Sequence, residues 1–465
     1  MRYNVLILQW HFFIVGGVET YYYRLLKWAK NLGCRVLLLL DKDGVIDENW
    51  LKLLLKANVE IFFVGGFFPF YSIKTKEHEV LDVSPDDRVI NIAADYECWL
   101  RGFFLQQKFK IKSADNLLYS FHPYVIRLGG GWNAPDRNEG NSFLNKFFSK
   151  KLLAPMVGNN VIVFMDDETK NFAQEYYRSY NFDWTKSEII HLGMEEGEDV
   201  AECDIKKKYY SDTRRILTAG RFDFPFKGYM LGTIDAFSRL SKEYPDTELL
   251  IIGSGKPEEE LMVAEKISHC EPEVARKIKL LKSVPYELFS QYMKNSYAFV
   301  GIGTTLLDAA KMGVPGVIGI AYMYDDISYG LWSDTPDIVG GLYDENLAEK
   351  SSITDDLRRI LEMSCEEYLQ LCMKHRKLLV QSYGLQRIME QIMGHKTSDE
   401  HQYSKLALMA YSYLHYSPIK RGIKWLLPDR VVNWIKDIRQ RRREKKTMEQ
   451  RKSLFRPVVL RGGVG

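Results

Sequence analysis

The sequence predicts an α/β protein built from two Rossmann-like, doubly wound parallel-sheet domains that face a cleft, followed by a helical, basic C-terminal extension. Three observations carry this prediction. Short apolar runs recur along the chain with continuous rather than alternating apolarity, as strands covered on both faces require. Segments of helical apolar spacing lie between many of them, the order that a parallel sheet with packed helices produces. The alternation breaks once at a polar stretch and then starts again.

In chain order, Val5 to Leu8, Val36 to Leu40, Ile61 to Val64, Val89 to Ile92, Leu117 to Phe121 and Val161 to Phe164 read as the first set of strands. Thr20 to Leu32 and Glu168 to Tyr180 read as helices among them. Gly193 to Lys208 has few large apolar side chains and reads as an exposed linker. Ile216 to Ala219, Leu249 to Ile252, Ile278 to Leu281, Ala298 to Gly301 and Gly316 to Ile320 form the second set, with helices at Met230 to Tyr244 and Tyr286 to Lys294. Asp355 to Met393 is helical throughout. The expected division is an N-terminal domain over 1–195, a linker over 196–212 and a second domain over 213–375. A helix over 376–396 returns toward the first domain, and a basic amphipathic tail with little to build a core of its own covers 397–465.

The chain has 465 residues, 46% hydrophobic and 27% charged, which excludes disordered and collagen-like classes. Six scattered cysteines form no C-x-x-C pair, so the expectation is reduced thiols in a cytoplasmic protein without a zinc knuckle or disulfide framework. The most apolar stretch, Ser296 to Tyr324, is broken by Asp308, Lys311 and several glycines and cannot span a bilayer. Met1 to Val15 contains Gln9 and His11, runs into Gly16-Gly17 and reads as a strand and its loop, not a signal peptide. The net charge of +3 conceals an asymmetry. Residues 397–465 hold 16 basic against 6 acidic side chains, an excess of 10, so the preceding residues carry −7.

Two segments carry the chemistry. Gly220-Arg221-Phe222-Asp223-Phe224-Pro225-Phe226-Lys227-Gly228 directly follows a strand. Its two cations, a planar fork and a point charge, suit a diphosphate whose charge must be neutralised as it leaves. The plainer reading is two solvated loop cations. Further on, Val300 to Pro315 is strand, glycine turn (Gly301, Gly303), Thr304 and a helix with Asp308 in its early turns. Such a turn admits an anionic ligand to backbone N–H groups at a helix N-terminus, and the acid can accept ribose hydroxyls. The plainer reading is a glycine turn with a capping acid.

Together these segments resemble the retaining, nucleotide-sugar-dependent glycosyltransferases of family 4, which have the GT-B fold. The family's G-R-…-K-G segment is matched by Arg221 and Lys227, and its E-x7-E segment aligns with Val300 to Pro315. Gly16-Gly17-Val18-Glu19, Ser120-Phe121-His122, Ile189 to Glu195 and Ile251-Ile252-Gly253-Ser254-Gly255 match in order, so the resemblance spans roughly residues 1–395. It implies a metal-independent hexosyltransferase without a resident cofactor. Arg221 and Lys227 would hold the donor diphosphate, Gly16, Gly17, Gly301, Gly303 and Thr304 would line it, and Asp308 would bind the ribose. His122 would lie beside the transferred sugar, giving His122, Arg221 and Lys227 catalytic parts. The family's first Glu is Val300 here, and a valine cannot accept the sugar's hydroxyls. Either the donor sugar is recognised differently or the protein is a catalytically silent GT-B module supporting a partner enzyme. A sugar-nucleotide epimerase is a third reading.

Asp41-Lys42-Asp43 is a D-x-D, but a loop of exposed acids is expected there. Gly253-Ser254-Gly255 lacks the third glycine of a dinucleotide fingerprint, since Glu258 stands in its place. His191 reads as structural. Phe67-Phe68-Pro69-Phe70-Tyr71 reads either as core or as an apolar lip near the acceptor. Trp425, Val431, Trp434, Ile435 and Ile438 at helical spacing, among Lys420 to Lys446, read either as a helix lying on an anionic membrane or as one packed on its own body. The expected partners are a nucleotide sugar, a surface-glycan or lipid-linked acceptor and, through 418–446, the inner membrane face. No nucleic acid is expected.

Overall fold

A computed structural model describes residues 3–14, 16–126, 128, 143–197, 200–282, 284–342, 349–398 and 402–416. The basic segment 418–446 lies outside the described residues.

The N-terminal domain is a seven-stranded sheet. Its strands are β1 (Val5–Gln9), β2 (Arg35–Asp41), β3 (Glu60–Gly65), β4 (Ser72–Lys74), β5 (Arg88–Ala93), β6 (Ser113–Ser120) and β7 (Ile162–Phe164), in the order β4-β3-β2-β1-β5-β6-β7. The second sheet has six strands, β8 (Arg214–Ala219), β9 (Thr247–Ile252), β10 (Ile278–Leu281), β11 (Ala298–Gly301), β12 (Gly316–Gly319) and β13 (Ser328–Leu331), in the order β10-β9-β8-β11-β12-β13. All pairings are parallel except the two edges, β4 on β3 and β13 on β12. Central strands such as β1, buried at every position, explain the continuous apolar runs. Both antiparallel edges are short and only partly apolar, so that criterion passes over them.

In each sheet the strand order reverses beside the first strand, between β1 and β5 and between β8 and β11. Loops leaving the carboxyl ends at such a point diverge to opposite faces and leave a crevice. The helix Gly17–Asn31 starts there in the first domain and the helix Thr304–Lys311 in the second.

The stretch read as an exposed linker is firmly held. Met194 is buried and forms a parallel bridge with Gly384 at the junction of helices Cys365–Tyr383 and Leu385–Gly394. Its N–H donates to Tyr383 O at 2.7 Å, and its carbonyl accepts from Leu385 N at 2.8 Å. Helix Glu202–Tyr209 packs Ile205 into the second domain and Tyr209 Oη donates to Met363 O.

After Gly394 the chain runs along the first domain. Tyr3 Oη donates to His395 O at 3.1 Å, and Thr397 N–H donates to Asp115 at 2.7 Å. Helix Lys405–Tyr416 then inserts Ala407, Leu408 and Tyr411 into the first domain's core, while Tyr403 packs on Trp99 and Phe103. Residues 397, 398 and 402–416 are therefore structurally part of the N-terminal domain. Their apolar face fills a groove that the isolated stretch gives no sign of. Within Phe67 to Tyr71, Phe68 and Tyr71 are core and Phe70 is exposed; Phe68 N–H donates to Ser412 Oγ.

Candidate active site

The carboxyl edges of the two sheets meet across a narrow gap. Gly17, opening the first-domain helix, approaches so closely that a β-carbon there would stand 3.4 Å from Thr304 Oγ1. Arg24 Nη2 reaches Asp308 Oδ1 at 2.9 Å, and the His122 ring lies 5.4 Å from that of Phe226. Two helix N-termini thus converge from opposite domains, each with unpaired N–H groups and a positive dipole end, an arrangement that attracts anions. Gly303 supplies the tight turn before Thr304 with φ +66, a left-handed value that a side chain would strain.

The Arg221 loop is pinned by β-sheet neighbours. Gly220 N–H donates to Ile252 O, Phe222 N–H donates to Ser254 O, and the buried Phe222 ring packs over Gly253 and Gly255. The Gly-Ser-Gly segment therefore buttresses this loop. Arg221 stays more than half exposed, paired with Asp223 at 3.0 Å. The Lys227 ammonium is tucked against Gly220 and forms no ion pair among the described residues. Burial, reinforced by repulsion from Arg221 and opposed by Asp223, pushes it down to about 8. A cation with no counter-ion among the described residues, on the loop that faces Glu19 and His122, is poised for a bound anion.

Facing this loop, Glu19 is buried, with Oε1 accepting from Trp10 Nε1 at 3.2 Å and its carboxylate folded over Gly16. Burial raises its pKa, partly offset by hydrogen bonds and by Arg221 across the gap. His122 is pushed down to about 4 by burial, against the pull of Asp223, and is therefore neutral at physiological pH. Asp308 is buried on Arg24, and Gly301 ends β11. Val300 is wholly buried in the second domain's core, so its aliphatic side chain serves packing. His191 Nδ1 donates to Met165 O at 3.0 Å, and its ring packs on Tyr383. The residues singled out from the sequence thus gather at one gap, with His122 facing the Arg221 loop and Gly17 facing Thr304.

The sequence reading missed a charge cluster at the carboxyl ends of β1, β2 and β5. His11 Nδ1 lies 3.0 Å from Asp41, its Nε2 bonds Asp95, and Arg101 pairs with Asp41 and with Glu97 at 3.0 Å. Burial opposes the charged imidazole, yet Asp95 and Asp41 raise it to about 10. Lys42 and Asp43 are exposed as expected, but Asp41 is not, because His11 and Arg101 reach it from adjoining elements. The only local signal is the position of Asp41 at the end of β2 and of His11 just past the end of β1. Donor atoms of His11, Asp95 and Cys98 come within 4.8 Å of one another, the one such group among the described residues. The imidazole there already spans two aspartates.

No protein-family model matches the sequence, and no curated protein matches it. Solved structures do. A glycosyltransferase from Rickettsia africae superposes with a TM-score of 0.56 at 16% identity, covering 85% of this chain and 98% of that one. Anabaena HepE, solved with UDP and glucose, gives 0.52 at 13% identity, with coverages of 84% and 98%. A TarM variant from S. aureus, solved with fondaparinux, α-GlcNAc-glycerol and UDP, gives 0.54 at 10% identity, with coverages of 84% and 100%. The chain thus has the GT-B fold, two facing Rossmann-like domains with their switch points opposed.

Proposed function

We propose that the protein is a nucleotide-sugar-dependent glycosyltransferase, acting with retention and without a metal on a surface-polysaccharide or lipid-linked acceptor. The observation that carries this reading is the gap itself, where the N-termini of helices Gly17–Asn31 and Thr304–Lys311 converge and the loop of Arg221 and Lys227, whose ammonium has no ion pair among the described residues, faces Glu19 and His122. The UDP complexes of HepE and TarM support the donor class.

In this reading Arg221 and Lys227 take the two phosphates. As the bond from the sugar's anomeric carbon to the diphosphate oxygen breaks, the charge that develops is met by both cations and by the helix N-termini. The acceptor hydroxyl attacks from the same face, and its proton passes to the departing phosphate oxygen. Neutral His122 faces this space and can donate or accept a hydrogen bond to the sugar. Asp308 offers ribose a carboxylate steadied by Arg24. Replacing Arg221 and Lys227 together by Ala is expected to weaken binding of the cognate nucleotide diphosphate roughly 100- to 10,000-fold, from two charge-assisted bonds of about 1.5–3 kcal/mol each. Wild-type affinity should fall as pH rises past about 8, where Lys227 loses its proton. Calorimetric titration across UDP, GDP, ADP and dTDP measures both, and unchanged affinity in the double variant refutes the assignment.

A second reading, a catalytically silent module that supports a partner enzyme, is favoured by Val300 alone. Donor hydrolysis or transfer by the purified protein excludes it. We further place the protein at the cytoplasmic face of an anionic membrane, through residues 418–446. Among the described residues no helix is long and apolar enough to cross a membrane. Deleting 418–465 is expected to abolish co-sedimentation with anionic vesicles while leaving the melting temperature of the body unchanged; equal sedimentation refutes the docking.

A further inference from the structure

Away from the gap, a second contact ties the two domains together, and it is made by two acids. The turn after β7 places Asp166 and Glu168 at the start of helix Asp167–Tyr176, where they are 1% and 5% exposed. Asp166 Oδ1 caps the helix by accepting from Thr169 N at 2.7 Å. Glu168 reaches across to the second domain, and its Oε1 accepts from Leu342 N at 2.9 Å, with the N–H groups of Gly340 and Gly341 also turned toward the carboxyl. The other oxygens, Asp166 Oδ2 and Glu168 Oε2, are buried without a hydrogen-bond partner among the described residues. Both crowd the same point, since a β-carbon on Gly340 would stand 3.3 Å from one and 2.6 Å from the other. Among the described residues no lysine, arginine or histidine pairs with either acid.

The gripped loop supports the anion site. Val339 O accepts from Gly303 N and Gly341 O accepts from Ala321 N, each at 2.6 Å. Gly303 is the turn that opens helix Thr304–Lys311. A carboxyl of the first domain therefore holds the loop that fixes the glycine turn of the second.

We propose that Glu168, backed by Asp166, is a positioning residue: a carboxyl clasp that locks the second domain's loop 339–342 and thereby the Gly303 turn in the shape that receives the donor diphosphate. The proposal rests on the donor reading of that turn. Two buried carboxyl groups with no cation beside them among the described residues favour the protonated form, because a proton on one removes the repulsion that two buried charges would suffer. Burial is the leading cause raising both groups, with each acid's neighbour acting in the same direction. The N–H groups of 340–342 oppose it for Glu168 and Thr169 opposes it for Asp166. Other titratable groups near the pair among the described residues are Asp167 on the same helix, Tyr119 of β6 and Tyr383 from the opposite side, with His191 on Met165 O and against the Tyr383 ring. A carboxyl whose pKa is raised in the closed form favours closure most below the ordinary carboxylate range, and that contribution is lost as pH rises through the raised value.

The test uses the full chain with Glu168→Gln and Glu168→Ala, scanned from about pH 5 to 8. Small-angle scattering reads domain closure without nucleotide, and calorimetry reads binding of UDP, GDP and ADP. Wild type is expected to become less compact and to bind the nucleotide less tightly as pH rises. Glu168→Gln, which keeps an acceptor for Leu342 N–H and cannot lose a proton, should stay compact and lose this pH dependence. Glu168→Ala should be open at every pH, with affinity down roughly 5- to 150-fold. Wild-type pH dependence persisting in Glu168→Gln overturns the proposal, as does a compact, tightly binding Glu168→Ala. If scattering follows the clasp while the Arg221/Lys227 double variant still binds normally, the clasp stands and the donor reading fails. The Glu168→Gln profile decides the matter if Glu168→Ala does not fold.

Discussion

At the scale of single residues, the site was legible where chemistry and position coincide in the chain. Arg221 and Lys227 sit on one short loop after a strand, and Gly303 opens a helix, so their neighbours in sequence are their neighbours in space. His11 shows the opposite case. Its partners Asp41, Asp95 and the more distant Arg101 belong to other elements, and only the strand order β2-β1-β5 brings them together. We expect His11→Ala to cost about 2–3 kcal/mol of stability, less than a fully buried pair because the imidazole is partly exposed. Two aspartates raise its pKa to about 10, so its contribution is complete below the ordinary histidine value and fades as pH rises through about 10. Urea melts of wild type and variant from neutral to alkaline pH should therefore converge. A constant difference refutes the ion-pair account.

At the scale of elements, most central strands were read to within a residue or two, because burial on both faces writes itself into continuous apolarity, whereas β6 begins four residues before the apolar run from Leu117 and the helix read over Glu168 to Tyr180 ends at Tyr176. Short edges and docking helices are governed by what they lie against. Helix Lys405–Tyr416 is the clearest example, since Leu408 and Tyr411 become core only because a groove beside Trp99 and Phe148 exists to receive them. Truncating buried Leu408 to Ala is expected to cost about 2–5 kcal/mol, as in other cores, and to lower the melting temperature. Leu406→Ala, on the exposed side of the same helix, should change it by less than about 0.5 kcal/mol. Equal effects from the two would show that the helix does not dock.

At the scale of the whole molecule, the two domains were foreseen, but not how firmly they are joined. One apolar cluster runs from Tyr21 and Leu25 through Leu306 and Ala309 to Ile388 and Met389. Arg24 and Asp308 add an ion pair across the gap. Replacing Arg24 by Ala strands a buried carboxylate and is expected to destabilise the protein by about 3–5 kcal/mol. The Arg24→Ala/Asp308→Ala double variant should recover much of that loss, which a double-mutant cycle by chemical denaturation measures; strict additivity would show that the pair does not interact.

The return of the chain to its first domain also sets an order of events during synthesis. Sheet β1–β7 is complete once residue 164 has left the ribosome, yet the groove beside Trp99 stays unfilled until Leu408 and Tyr411 emerge, after the whole of the second domain. Domains ordinarily fold one after another as they appear. Here the first domain waits for a helix made after the second, with apolar surface open in the interval, and the nascent chain is most exposed to chaperones and to misassociation while its second domain is being made.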